Sequence, residues 1–172
     1  MVVSAALLLM GVACGDDVAP ETEARERARS STDDVMARGG FPCRTLRVTA
    51  ADGTVTDRCV WVADTPERMA RGLMGVTDPE LGGRGALVFA PGTDSELEFW
   101  MVDTLVPLTV VWVDAGGSVI RSADMQPCTT TEQRCERHGA GVPWRLAIEV
   151  PSGADGPMGL VPGARIELLG DC

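Results

Sequence analysis

The chain contains no lysine, tyrosine or asparagine, its fifteen basic residues are all arginine, and it has one histidine. The codons for the three missing residues are AT-rich, so a GC-rich genome is the simplest account. The absences still exclude chemistry. Without a lysine amine the chain cannot form a Schiff base. With His138 as its one imidazole and no CxxC spacing, it lacks the ligand set of a zinc site. His138, in "ERHGAGVP", is read as a surface residue. The glycines of "GGRGAL" have neither the spacing nor the lysine of a phosphate loop, and no GxSxG elbow occurs. Positive charge is scarce too. A formal net charge of −10 argues against nucleic acid, whose binding needs clustered cations, and against a basic patch on anionic lipid. Aromatics make up only 4% of the residues, so aliphatic side chains must fill the core.

What is present suits one domain plus tails, at 172 residues. The apolar run Val2–Ala13 is too short to span a bilayer and has the length of a signal-peptide core. Ala13-Cys14 resembles the lipobox of bacterial lipoproteins, in which the cysteine is acylated. Residues 1–14 are therefore expected to be a signal peptide ending at a lipidated Cys14. Residues 15–40, polar and free of aromatics, are expected to be a disordered tether, and 41–172 a β domain. The expected location is extracytoplasmic, with the membrane as a partner through the lipid anchor. The cysteines agree with an oxidising compartment. Cys128 can close on Cys135, and Cys43 on Cys59 across the turn signal "AADGT"; Cys172 is then left over, unless it takes Cys43 or Cys59 as its own partner.

Within the domain, "RTLRVTA" and "RCVWVAD" alternate as a hairpin would. "DTPERMARGLMG" changes period: Thr65 can cap a helix that starts at Pro66, with Met69 and Leu73 on one face and Gly75 as its stop. This predicts one short helix over about 65–75. The rest reads as strands, "GALVFAP", "LEFWMVD", "LTVVWVD", "SVIRSA", "WRLAIEV" and "ARIELL", punctuated by glycine and proline. The fold class is mainly β, an antiparallel sandwich or barrel with one short α-helix.

Seven blocks carry a family resemblance in a fixed order: "RGLMG" at 71–75, "GALVF" at 85–89, "FWMVDT" at 99–104, "PL" at 107–108, "VWVD" at 111–114, "AIEVPSG" at 147–153 and "GLVPG" at 159–163. Together they resemble the domain of unknown function 192 family across about residues 46–169. The resemblance implies a mostly β domain with one short helix, often behind an export signal, and no established activity. The chain departs from the family at Val102 and Asp103, where Lys and Asn are usual, and at Thr109 and Ala164, where Asp is.

The segment "EFWMVDTLVPL" from Glu98 to Leu108 is the natural place for a site. As a strand it would turn Phe99 and Met101 one way, into a core, and Glu98, Trp100 and Val102 the other. Trp100, a large apolar body with a polar edge, suits either packing or a pocket wall. Asp103-Thr104 fits a turn cap, or a polar cluster of Asp103, Asp114 and Glu98. Paired carboxylates could act as acid and base in hydrolysis, or hold calcium, the one cofactor entertained. Arg71 could reach Glu98, Glu149 or an anionic ligand group, and Met74 suits core filling. Glu149 is expected to point outward; turned inward, it must be paired or have a raised pKa. Three functions follow. The favoured one is a non-catalytic envelope module in which Trp100, Asp103, Thr104, Arg71 and Met74 bind a small or oligomeric ligand. The others are a hydrolase using Asp103 with Asp114 or Glu98, and an accessory that offers only a surface to an envelope protein.

Overall fold

The computed structural model describes residues 20–128 and 134–172. The expected leader and Cys14 lie outside the described residues. Part of the expected tether is helical: α1 runs Pro20–Arg38, with Arg27 reaching Glu23 at 3.4 Å one turn away. Its last turn reaches the domain. Met36 is fully buried there, and Phe41 follows it into the same apolar cluster after the Gly39-Gly40 turn. No helix among the described residues is long and apolar enough to cross a membrane.

The domain is mainly β, as expected. Strands β1 (Cys43–Thr49) and β2 (Val55–Ala63) form the predicted hairpin and are followed by the short helix α2 (Pro66–Arg71). Then come β3 (Leu87–Phe89), β4 (Leu108–Val113), β5 (Val119–Met125), β6 (Leu146–Pro151) and β7 (Arg165–Asp171). They make one seven-stranded sheet in the order β5-β4-β6-β3-β2-β1-β7.

The sheet differs from a purely antiparallel one. The β2–β3 pair is parallel, because α2 and the loop behind it carry the chain back before β3 begins, the crossover that parallel strands require. The sheet does not close into a barrel. Its two edges touch at a single bridge, Ser118 to Arg165, where Ile166 N–H donates to Gly117 O at 2.7 Å. Gly117 has φ 84, and a Cβ there would stand 2.7 Å from the Ile166 carbonyl oxygen, so this contact requires glycine.

Successive residues of β2, β3, β4 and β6 alternate between two buried clusters, which explains why these strands read as nearly unbroken apolar runs. Trp61, Ala63, Leu87, Phe89, Val110, Trp112 and Ala147 share one cluster. Val60, Val62, Val88, Val111, Ile148 and Val150 share the other, capped by Leu160 and Ala164 from the loop before β7. The candidate site lies on the first face.

Three sequence expectations are corrected here. The segment 97–103 is not a strand of the sheet. It lies over the first face, held by isolated bridges Phe99 to His138 and Val102 to Cys128. Phe99 and Met101 still pack into the core, so the alternation reported one covered side and not a ladder. Helix α2 starts as read, with Thr65 Oγ1 accepting from Arg68 N–H at 3.3 Å, but it stops earlier than Gly75. Gly72, at φ 48, caps it by donating to Arg68 O. Finally, Cys128 bonds Cys135 as expected, whereas Cys59 bonds not Cys43 but Cys172, the alternative that the sequence left open. In the β1–β2 register Cys43 stands opposite Trp61, and the residue opposite Cys59 is Thr45. The Cys59–Cys172 bridge closes a separation of 113 residues, which in the chain-entropy account stabilises the fold by about 5 kcal/mol.

Candidate functional site

Helix α2 and the segment 97–104 stand apart over the first face of the sheet and leave a pocket of about 410 Å³ between them. The helix and its exit turn supply Pro66, Met69, Ala70, Arg71, Gly72, Leu73 and Met74; the segment supplies Leu97, Glu98, Phe99, Trp100 and Thr104; Phe89, Trp144 and Glu149 complete the lining. Two backbone ties hold the walls in place. Gly75 N–H donates to Asp103 O at 2.9 Å, joining the helix exit to the segment. Trp144 Nε1 donates to Leu97 O at 3.2 Å, fixing the segment's start to the residues that lead into β6.

The aromatic rings pack against one another. Phe99 meets Phe89 edge-on with ring centres 4.9 Å apart, and its ring centre is 5.7 Å from that of Trp144. Trp100 is half-buried, and the Arg137 guanidinium sits 3.7 Å from its ring centre, a cation–π contact.

Glu149 is the polar exception in this lining. It sits on β6 opposite Leu87 of β3 and Val110 of β4, on the face that carries Ala147, and only 5% of it is exposed. Its carboxyl has no hydrogen-bond donor or cation among the described residues, and burial alone pushes its pKa up to about 8. The other buried acid is treated differently: Asp78 accepts from Glu80 N–H at 2.9 Å and from Gly82 N–H at 2.7 Å. Thr109 is also satisfied, donating to Asp124 and accepting from Gly153 N–H. Trp112 Nε1, on the same face and one diagonal step from Glu149 in the ladder, is buried without an acceptor among the described residues. The floor of the pocket is thus poor in polar partners.

The structure gathers Trp100, Thr104, Arg71, Met74 and Glu98 around this pocket. It does not bring Asp103 or Asp114 to it. Asp103 has φ 53 and an exposed side chain, so the left-handed turn that lets its carbonyl accept from Gly75 leaves its carboxylate outside the lining. Asp114 caps the β4–β5 turn, its Oδ1 accepting from Gly116 and Ser118 N–H at 2.8 and 2.9 Å. The carboxylate cluster of Asp103, Asp114 and Glu98 is therefore not formed. Among the described residues no three His, Cys, Asp or Glu side chains gather where they could hold a metal ion. Arg71 is exposed and pairs with neither Glu98 nor Glu149 among the described residues. Glu149, expected outward, points inward, and the signal for it was a lone acid within the apolar run "LAIEV".

Fold and site together define a mainly β domain with an apolar, aromatic-lined pocket floored by a buried carboxylic acid. The chain belongs to the domain of unknown function 192 family, described as an uncharacterized ACR, whose model matches residues 47–168. No curated protein matches the chain. Among solved structures it is similar to a proposed transcription regulator from Sinorhizobium meliloti, with 22% identity and a TM-score of 0.62 over 74% of this chain and 95% of that one. It is also similar to a protein of unknown function from Novosphingobium aromaticivorans, with 26% identity and a TM-score of 0.61 over 73% and 84%.

The acid sets a pH dependence. Folded Glu149 holds its proton more tightly than an unfolded carboxyl, so its contribution to stability is whole below about pH 4.5 and is lost as pH rises through about 8. The Glu149→Gln variant is expected to gain on the parent across that window by up to about 1.4 kcal/mol per pH unit. Urea unfolding of both proteins at about pH 5 and pH 8.5 measures the difference and cancels groups such as Asp57, whose pKa Arg47 lowers. A variant that loses stability relative to the parent at the higher pH would contradict the assignment.

Proposed function

We propose that this chain is a non-catalytic ligand-binding domain of the cell envelope, tethered to a membrane at its N-terminus. One observation carries the binding reading: a pocket of about 410 Å³, apolar on its walls, converges on a single buried carboxyl. Cavities of this size with few polar groups are the usual form of small-molecule sites. A neutral Glu149 offers a hydrogen-bond donor and an acceptor for orienting a ligand, and the rings give contact area. Trp100 and Thr104 from the segment, with Arg71 and Met74 from the helix, supply the walls, and no resident cofactor is invoked.

The tether reading rests on the apolar run Val2–Ala13, on Ala13-Cys14, and on disulfides suited to an oxidising compartment. Mass spectrometry of the membrane fraction should find Cys14 acylated; an intact leader on a soluble chain would sink it.

A second reading has one observation behind it. Glu98 lines the same cavity as Glu149, so an exposed carboxylate and a buried acid face one space, the division of roles that acid–base hydrolysis uses. Turnover of nitrophenyl glycosides that disappears in Glu149→Gln would favour it.

The binding reading is tested with the uncharged fluorophore N-phenyl-1-naphthylamine. Saturable binding of one dye per chain is expected. Trp100→Ala should weaken it about tenfold, the effect of losing a buried aromatic anchor, and Ala70→Trp should block it by filling the cavity. Absence of saturable binding, or binding unchanged in both variants, would refute the proposal.

A further inference from the structure

An occupant must meet a carboxyl that the protein itself leaves unpaired. Glu149 is 5% exposed, faces the pocket, and has neither donor nor cation among the described residues. Ionising such a group without a counter-charge is costly, and a cation placed beside it relieves that cost. Four aromatic residues, Phe89, Phe99, Trp100 and Trp144, line the same pocket. Aromatic faces attract cations through the ring quadrupole, and Trp100 already holds one, the Arg137 guanidinium at 3.7 Å.

The kind of cation follows from the rest of the lining. A primary ammonium carries three N–H donors, and apart from Glu149 the buried lining offers one side-chain acceptor, the Thr104 hydroxyl. A methylated ammonium makes no such demand: its charge is spread over methyl groups that pack on rings and aliphatic walls. Near the rim, Arg71 and the Arg137 guanidinium on the Trp100 ring oppose a cation and Glu98 favours one. All three are exposed, so solvent and salt screen them far more than the buried carboxyl is screened. The net charge of −10 adds a general attraction.

We propose that the pocket recognises a small quaternary or N-methylated ammonium group, with Glu149 as its counter-ion and the aromatic residues as its walls. This rests on the binding reading given above and names the ligand class for it. Binding converts the Glu149 carboxylic acid to carboxylate and releases its proton to solvent. The cation therefore competes with a proton, and its affinity rises with pH until the acid is ionised in the empty pocket, at about pH 8.

Calorimetric titration of the full chain with choline, and with its uncharged carbon isostere 3,3-dimethyl-1-butanol, tests the proposal. Choline is expected to bind one per chain and to gain about twentyfold in affinity between pH 6.5 and 8.5, as the competent fraction grows. It should release close to one proton at the lower pH. At pH 8.5 the isostere should bind at least tenfold more weakly. Glu149→Gln should erase the preference for choline while still binding the isostere and the naphthylamine dye, which shows that the pocket persists. Equal affinity of choline and isostere at pH 8.5, or choline binding unchanged by Glu149→Gln, would overturn the ammonium assignment. So would dye binding with no choline binding, which leaves the pocket reading intact; failure of dye, choline and isostere together removes both.

Discussion

Glu149 occupies a place where both ladder neighbours, Leu87 and Val110, are apolar and fully buried. An ionised carboxylate without a partner would be destabilising there, so the empty protein holds the group neutral. The consequence is local and chemical: a carboxylic acid with no bond to satisfy inside the chain is free to bond with whatever enters the cavity above it. An apolar residue of similar size would have continued the core. The rest of the site is built around leaving this one group unanswered.

Keeping a cavity over it requires walls that do not collapse. Helix α2 is only six residues long, too short to persist by its own propensity. It is held by caps at both ends, Thr65 and Gly72, and by the bond from Gly75 to Asp103 O. The opposite wall is not a sheet strand; isolated bridges to His138 and Cys128 hold it. Its inward residues, Phe99 and Met101, join the core, while Trp100 and Glu98 remain at the mouth. Met36 and Phe41 extend the same apolar cluster beyond the sheet, so the end of α1 belongs energetically to the domain and not to a free tether.

Much of this was legible in the sequence. The strands followed from alternation, α2 from Thr65-Pro66, and the family from seven short blocks in order. Of the candidate residues, Trp100, Thr104, Arg71, Met74 and Glu98 line one pocket, whereas Asp103 and Asp114 do not. The failures have physical causes. Alternation in 97–103 is real, yet it reports a covered side and cannot tell a ladder from a segment laid over a face. Asp114 suits a carboxylate cluster by residue type, but its Oδ1 is taken by two N–H groups of its own turn. Around Glu149 alternation is silent, because Ala147, Ile148, Glu149 and Val150 are all buried and both faces of the strand are covered. Local spacing left two partners open for Cys172, and the long-range pairing of β7 with β1, beside β2 and its Cys59, decides between them.

The account depends on Glu149 being a neutral, unpaired acid in the empty pocket at neutral pH. The most direct measurement is the titration of its side-chain carboxyl carbon by NMR, in protein labelled with carbon-13 at the glutamate side chains and assigned by comparison with Glu149→Gln. A midpoint near 8 is predicted. A midpoint in the ordinary carboxylate range, about 4 to 5, would mean that the carboxyl is solvated or paired, and would contradict the account.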